Sequence, residues 1–124
     1  MNTFYERVGG EKTFEELVTR FYAHVATNPI LRPMYAEEDL KPAARRLQMF
    51  LEQYWGGPST YSEERGHPRL RIRHGGFHID TSARDAWVSC MRSAVDEMNL
   101  AADLKQELWD YLEAAATHLL NQPD

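Results

Sequence analysis

All seven glycines, at 9, 10, 56, 57, 66, 75 and 76, fall outside four segments in which apolar residues recur at helical spacing. Interior glycine costs a helix about 1 kcal/mol, so this segregation marks the segments as helices and the glycine pairs as their boundaries. Phe14, Leu17, Val18, Phe21, Tyr22 and Val25 form the first stripe, which begins after Gly9-Gly10 and stops at Asn28-Pro29. Ala43, Leu47, Phe50, Leu51 and Tyr54 form the second, with Pro42 tolerated in its first turn and Gly56-Gly57-Pro58 ending it. The third reads Ala83, Ala86, Trp87, Cys90, Met91, Ala94, Val95 and Met98, with Thr81 or Ser82 as the expected N-cap. Leu104, Leu108, Tyr111, Leu112, Ala115 and Leu119 make the fourth, and Asp103 with Gln106 suggests a capping-box start. No stretch alternates with period two, so no sheet is expected and the fold class is all-α.

A chain of 124 residues has room for one core, so residues 1–124 are expected to form a single domain. The lone Cys90 makes no internal disulfide and leaves no cysteine cluster for zinc or iron-sulfur ligation. No run approaches the ~20 apolar residues of a membrane span. The opening MNTFYERVGGEK carries acidic residues and no apolar core of a signal peptide, so the expected compartment is the cytoplasm. A net charge of -5 argues against a nucleic-acid partner.

The stretch from Gly56 to Asp80 breaks the pattern. Connections between bundle helices normally run ~2 to 8 residues, and longer ones tend to be functional. This one holds His67, His74 and His78, three of the five histidines, together with Arg65, Arg69, Arg71 and Arg73. Three readings compete. His74 and His78 stand four apart, as zinc ligands on one helix face would, although Gly75-Gly76 discourages a helix there. The RLRIR run suits a phosphate or RNA contact, against a solvated charged face as the plain alternative. One histidine could instead be an axial ligand to a cofactor held between the helices, with cations at the mouth for its carboxylates. Tyr22, Tyr35 and Trp87 add polar tips to apolar segments, where an unpaired buried donor costs ~1 to 3 kcal/mol. Those tips either reach the surface or a carbonyl, or converge on a bound polar ligand.

The chain resembles the second group of truncated haemoglobins over essentially its whole length. The matching strings are FYERVGG at 4–10, FYAHV at 21–25, NPILRPMY at 28–35, FLEQYWGGP at 50–58, RGHPRLRIRH at 65–74 and RDAWVSCM at 84–91. The resemblance implies a truncated globin, a two-over-two helical sandwich around haem b (iron protoporphyrin IX), with an extended loop before the proximal histidine. It makes His74 the proximal iron ligand, which leaves His67 and His78 without that role and His24 and His118 as surface or helix-packing residues. Tyr22, Tyr35 and Trp87 match the distal donors that stabilise bound ligand. Ala43 falls where many globins place a distal histidine or glutamine, Leu47 and Phe50 line the distal wall, and Phe77 and Met91 lie near the ring. Arg46 and Arg73 are the propionate partners, with Tyr61 a third. Many relatives carry Ala-Pro after the proximal histidine, and this chain has Gly75-Gly76. Cys90 is read as a buried small hydrophobe, with a redox role as the alternative.

The implied function is binding of O2, and of NO and CO, at ferrous iron, with tight oxygen binding expected. The alternative is a haem-dependent redox enzyme, either nitric oxide dioxygenation by the oxy form or peroxidase-like detoxification by the ferric form, served by an electron-donating reductase. A haem-free interaction or RNA-binding domain built on the RLRIR segment is a third reading. The chain is expected to be a monomer or a homo-oligomer.

Overall fold

The computed structural model describes residues 3–36, 38–66 and 79–118. Among them are six α-helices and no strand: α1 (Phe4–Arg7), α2 (Glu11–Val25), α3 (Lys41–Tyr54), α4 (Thr60–Arg65), α5 (Thr81–Glu97) and α6 (Ala102–His118), with a 3-10 turn at Arg32–Met34. Helix α2 packs on both α3 and α5, and α5 packs on α6. Two helix pairs, α2 with α3 and α5 with α6, are thus joined through the α2–α5 contact. No helix among the described residues is long and apolar enough to cross a membrane.

Helix α2 is central because its whole apolar stripe is buried: Phe14, Leu17, Val18, Phe21, Tyr22 and Val25. Full burial of one such side chain contributes roughly 1.5–3 kcal/mol. The helix stops where Asn28 takes over, its Oδ1 accepting from the amides of Ile30 and Leu31, both at 2.9 Å. This side-chain turn sends the chain toward the 3-10 turn. On α5, Ala83, Ala86, Cys90, Met91, Ala94 and Val95 are buried. On α6 the buried set is Leu108, Trp109, Leu112 and Ala116. Cys90 is a free, buried thiol whose pKa burial pushes up, as a small core hydrophobe requires.

Several local details differ from the sequence expectation. The N-cap of α5 is Asp80, whose Oδ1 accepts from the Ala83 amide at 2.9 Å, so Thr81 and Ser82 lie inside the helix. A carboxylate there also complements the helix dipole, which a hydroxyl does not. Helix α6 starts at Ala102, one residue before Asp103, and the Gln106 amide reaches forward to Asp110 Oδ1 at 2.7 Å. No capping box closes as a result. The unpatterned 56–80 stretch contains α4, which buries Tyr61 alone and therefore leaves no period in the sequence. Gln53 ties α4 to the end of α3, donating to Ser62 Oγ at 2.8 Å and accepting from the Ser62 amide at 2.9 Å.

The short helix α1 closes against the end of α3. The Tyr5 amide donates to the Trp55 carbonyl at 3.0 Å, and the Phe4 and Trp55 rings meet at 4.0 Å. A Cβ at Gly57 would lie 2.7 Å from the Tyr5 ring and 2.9 Å from the Glu52 carbonyl, so only glycine fits this approach. At the surface, His24 Nε2 meets Glu97 at 2.8 Å and Arg20 bonds both Glu16 and Glu97, linking α2 to α5.

Candidate functional site

A cleft opens among the helix pairs. Leu47, Phe50 and Leu51 wall it from one face of α3, their spacing of three and four residues placing them together. Ala83, Arg84 and Trp87 come from the first turns of α5, and Tyr111, Leu112, Ala115 and Ala116 from α6. Tyr22, Leu31, Met34, Tyr35 and Ile79 complete the lining. Three of the α5 and α6 positions are alanine, and that lack of side-chain volume holds the cleft open. Its volume is about 190 Å³. One water requires roughly 10–15 Å³ on the same measure, so the space is ligand-sized and not a packing defect.

Tyr22 and Tyr35 come together at the cleft wall, their hydroxyls 3.4 Å apart and their rings edge-on at 5.6 Å. That hydroxyl separation is long beside the about 2.7–2.8 Å of a strong O–H···O bond. Tyr35 is held by Arg32, whose guanidinium donates to the carbonyls of Tyr35 and Glu38 at 3.1 Å each. Phe21, fully buried, packs on Tyr22 at 4.9 Å and on Trp87 at 5.3 Å. One core ring thereby positions two of the three predicted distal donors, and all three line the cleft.

Tyr111, in the lining, is backed by stacked rings outside it. Tyr111 lies on Tyr54 with centroids 3.9 Å apart and planes 22° from parallel. Trp55 meets Tyr54 edge-on at 5.0 Å and Tyr111 at 5.6 Å. Its Nε1 is buried with no hydrogen-bond acceptor among the described residues. Burial, with a smaller contribution from Tyr54, pushes the Tyr111 phenol up to about 12.

Of the remaining predicted residues, Leu47 and Phe50 line the cleft. Ala43 and Met91 do not: both are buried in the core, Met91 one turn beyond Trp87 on the side of α5 that faces its neighbours. Tyr61 sits behind the wall, its buried ring edge-on to Phe50 at 5.7 Å. Arg46 is half-buried on α3 and outside the lining set. His74, Arg73 and Phe77 lie outside the described residues, as do His67, His78, the RLRIR run and Gly75-Gly76. The zinc reading of His74 and His78 therefore has no described geometry. Among the described residues no group of three or more His, Cys, Asp or Glu side chains could hold a metal ion.

Arg84 was not anticipated, yet it is the one charged residue in the described lining. Its Nε and Nη2 donate to Thr117 Oγ1 at 3.2 and 3.1 Å, and its Nη1 to Asp85 at 3.0 Å. The available signal was an arginine inside the third stripe, between Ala83 and Trp87.

The model of the bacterial-like globin family matches residues 3–121. The group 2 truncated hemoglobin YjbI of Bacillus subtilis (strain 168) is 43% identical over 123 residues, covering 99% of this chain and 92% of that protein. The crystal structure of a thermostable hemoglobin from the actinobacterium Thermobifida fusca superposes with a TM-score of 0.97 at 58% identity, covering 99% and 100% of the two chains. The truncated oxygen-avid haemoglobin of Bacillus subtilis gives 0.91 at 43%, covering 97% and 100%. The chain belongs to the bacterial-like globins, as a group II truncated haemoglobin.

The two helix pairs are thus the two-over-two globin sandwich, and the cofactor of this globin is haem b. The cleft suits that group. Its lining is apolar and aromatic, as a porphyrin face requires, with few polar tips and one guanidinium. Globins bind small diatomic ligands such as O2, and this truncated haemoglobin shares that property.

Proposed function

We propose that this truncated haemoglobin holds O2 tightly, with Tyr22, Tyr35 and Trp87 as hydrogen-bond donors to the ligand and His74 as the proximal iron ligand. The observation that carries the reading is the meeting of these three polar-tipped aromatics, drawn from α2, the loop after the 3-10 turn and α5, on one cleft wall. Haem, when bound, supplies the iron that takes a diatomic ligand and polarises it toward superoxide. A donor in a dry cleft stabilises such a charge more than water does, because it is already oriented. The Tyr22 and Tyr35 hydroxyls lie 3.4 Å apart, and a partly charged oxygen placed between them would accept from both.

Arg46 and Arg73 are proposed to hold the propionates, with Tyr61 beside them, since a guanidinium fork matches a carboxylate. Phe77 is proposed to pack near the ring. The unit acting is residues 1–124 as one domain, and the free thiol of Cys90 suits a reducing compartment, the cytoplasm. A reductase that restores ferrous iron is its proposed partner.

Reconstitution of the apo-chain with haem tests this reading. A sharp Soret band is expected that His74→Ala weakens or abolishes, together with slow O2 release by stopped flow. An unchanged spectrum in His74→Ala would remove the ligand assignment.

A further inference from the structure

Helices α5 and α6 form an antiparallel hairpin joined by residues 98–101. Among the described residues three cations lace it. Lys105 Nζ donates to the Asp96 carbonyl at 3.3 Å beside the connecting turn, and the Arg92 guanidinium lies 5.0 Å over the Trp109 ring further along. Arg84 reaches Thr117 at the far end, where no chain connection joins the two helices. The connected end is packed with large buried side chains, Val95, Met98, Leu108 and Trp109 among them. The far end offers Ala83, Ala115 and Ala116, which border the cleft and bring little apolar contact across it. A polar bond there takes the place of packing. Thr117 Oγ1 donates to the Glu113 carbonyl at 3.3 Å and accepts from both Nε and Nη2 of Arg84, so its one hydrogen and both lone pairs are used. Asp85 accepts from Nη1 at 3.0 Å and steadies the guanidinium.

We propose that Arg84 is a positioning residue for the cofactor: by clasping Thr117 it keeps the open end of the α5–α6 hairpin closed over the cleft and sets how long haem is retained. The proposal rests on the haem-filled cleft described above. Helix α6 packs chiefly on α5 and carries Tyr111, Leu112, Ala115 and Ala116 of the lining, so a wall of the cleft moves with it. Release of the clasp parts Ala115 and Ala116, which precede Thr117, from Ala83, which precedes Arg84, while the laced end stays fixed. The predicted distal donors Tyr22, Tyr35 and Trp87 are carried by α2, the loop after the 3-10 turn and α5, so they do not travel with α6. The clasp therefore governs the cofactor and not the diatomic ligand. Lysine does not replace arginine in this role, because the planar guanidinium fork presents Nε and Nη2 side by side to one oxygen and an ammonium does not.

The test follows haem transfer from the haem-loaded ferric protein to excess apomyoglobin, beside hydrogen exchange of the backbone amides. Thr117→Val, which keeps the shape and removes the hydroxyl, should raise the rate of haem loss about three- to tenfold, and Arg84→Met should do so by a similar factor. The double variant should lose haem no faster than either single one, since both break the same bond. Amide exchange should quicken in the last two turns of α6 and stay unchanged in α2 and α3. Thr117→Ser restores the hydroxyl and should return the wild-type rate, whereas Arg84→Lys should not. Arg92→Met unlaces the hairpin away from the cleft and should leave haem loss unaltered, and the O2 dissociation rate should be the same in every variant. Unchanged haem loss in both Thr117→Val and Arg84→Met, or equal acceleration by Thr117→Ser or Arg92→Met, would overturn the clasp and leave the haem reading standing. Failure of wild type to form a Soret band would overturn the haem reading itself.

Discussion

Two pairs of tyrosines meet at the cleft, the second through Tyr111 alone, and they differ in which part of the phenol makes the contact. Tyr22 and Tyr35 meet through their hydroxyls with rings edge-on, whereas Tyr54 and Tyr111 meet through their ring faces. The first pair is carried by α2 and the loop after the 3-10 turn, and Arg32 and Phe21 fix its orientation. The second is carried by α3 and α6 and stabilised by the Trp55 edge. Hydroxyl-first contact concentrates polarity where a ligand sits. Face-first contact spreads contact area and leads outward. One residue type thus does two kinds of work, and composition alone does not distinguish them.

The largest effect that sharpens this comparison is expected from Leu112→Ala. Leu112 is 2% exposed, lines the cleft and follows Tyr111 on α6, so its loss should cost about 2–5 kcal/mol by denaturant unfolding. Both tyrosine pairs should survive in weakened protein, since neither depends on this side chain for its orientation. Next, Trp87→Phe removes a donor while keeping the ring on Phe21. The O2 dissociation rate should rise at least about tenfold, equivalent to ~1.4 kcal/mol. A smaller rise would make Trp87 a packing residue and leave the hydroxyl pair as the sole donors.

Tyr22→Phe separates the pairs more finely. It should raise the O2 dissociation rate about two- to tenfold, the reach of one net hydrogen bond of ~0.5–1.5 kcal/mol, whereas Tyr54→Phe should leave that rate unchanged. The smallest effect is a titration. The Tyr111 phenol is lifted to about 12 by burial, so the folded state holds its proton more tightly than the unfolded state. Stability should therefore be fully present below the ordinary tyrosine value near ~10 and fall as pH rises toward about 12. Tyr111→Phe should flatten that decline in alkaline unfolding curves.

The sandwich was legible because burial and period coincide. All six stripe residues of α2 are buried, and so is the alanine-rich stripe of α5 apart from Trp87, which is half-buried at the cleft. Helix α4 was not legible, since one buried residue, Tyr61, sets no period, and the clamp on it comes from the amide of Gln53. The start of α5 was misplaced because Asp80, Thr81 and Ser82 are all acceptable caps by type, and only the bond from the Ala83 amide selects Asp80. At the site, Tyr22, Tyr35 and Trp87 stood out as polar tips on apolar segments. Tyr54 and Tyr111 did not, because each also completes a stripe, and their stacking joins residues far apart in the chain. Arg84 was hidden for the converse reason: a charged side chain within a stripe reads as an outward position until Thr117 is seen to receive it.

The three small residues Ala83, Ala115 and Ala116 have a consequence beyond the shape of the cleft. A helical sandwich with alanine at these positions lacks part of the interior it needs, and the missing piece is a molecule the cell must synthesise. Folding equilibrium is thereby tied to cofactor concentration by mass action, adding about 4 kcal/mol when free haem stands at a thousand times its dissociation constant. The steady-state amount of this protein should therefore rise and fall with porphyrin synthesis, without any regulator acting on its gene.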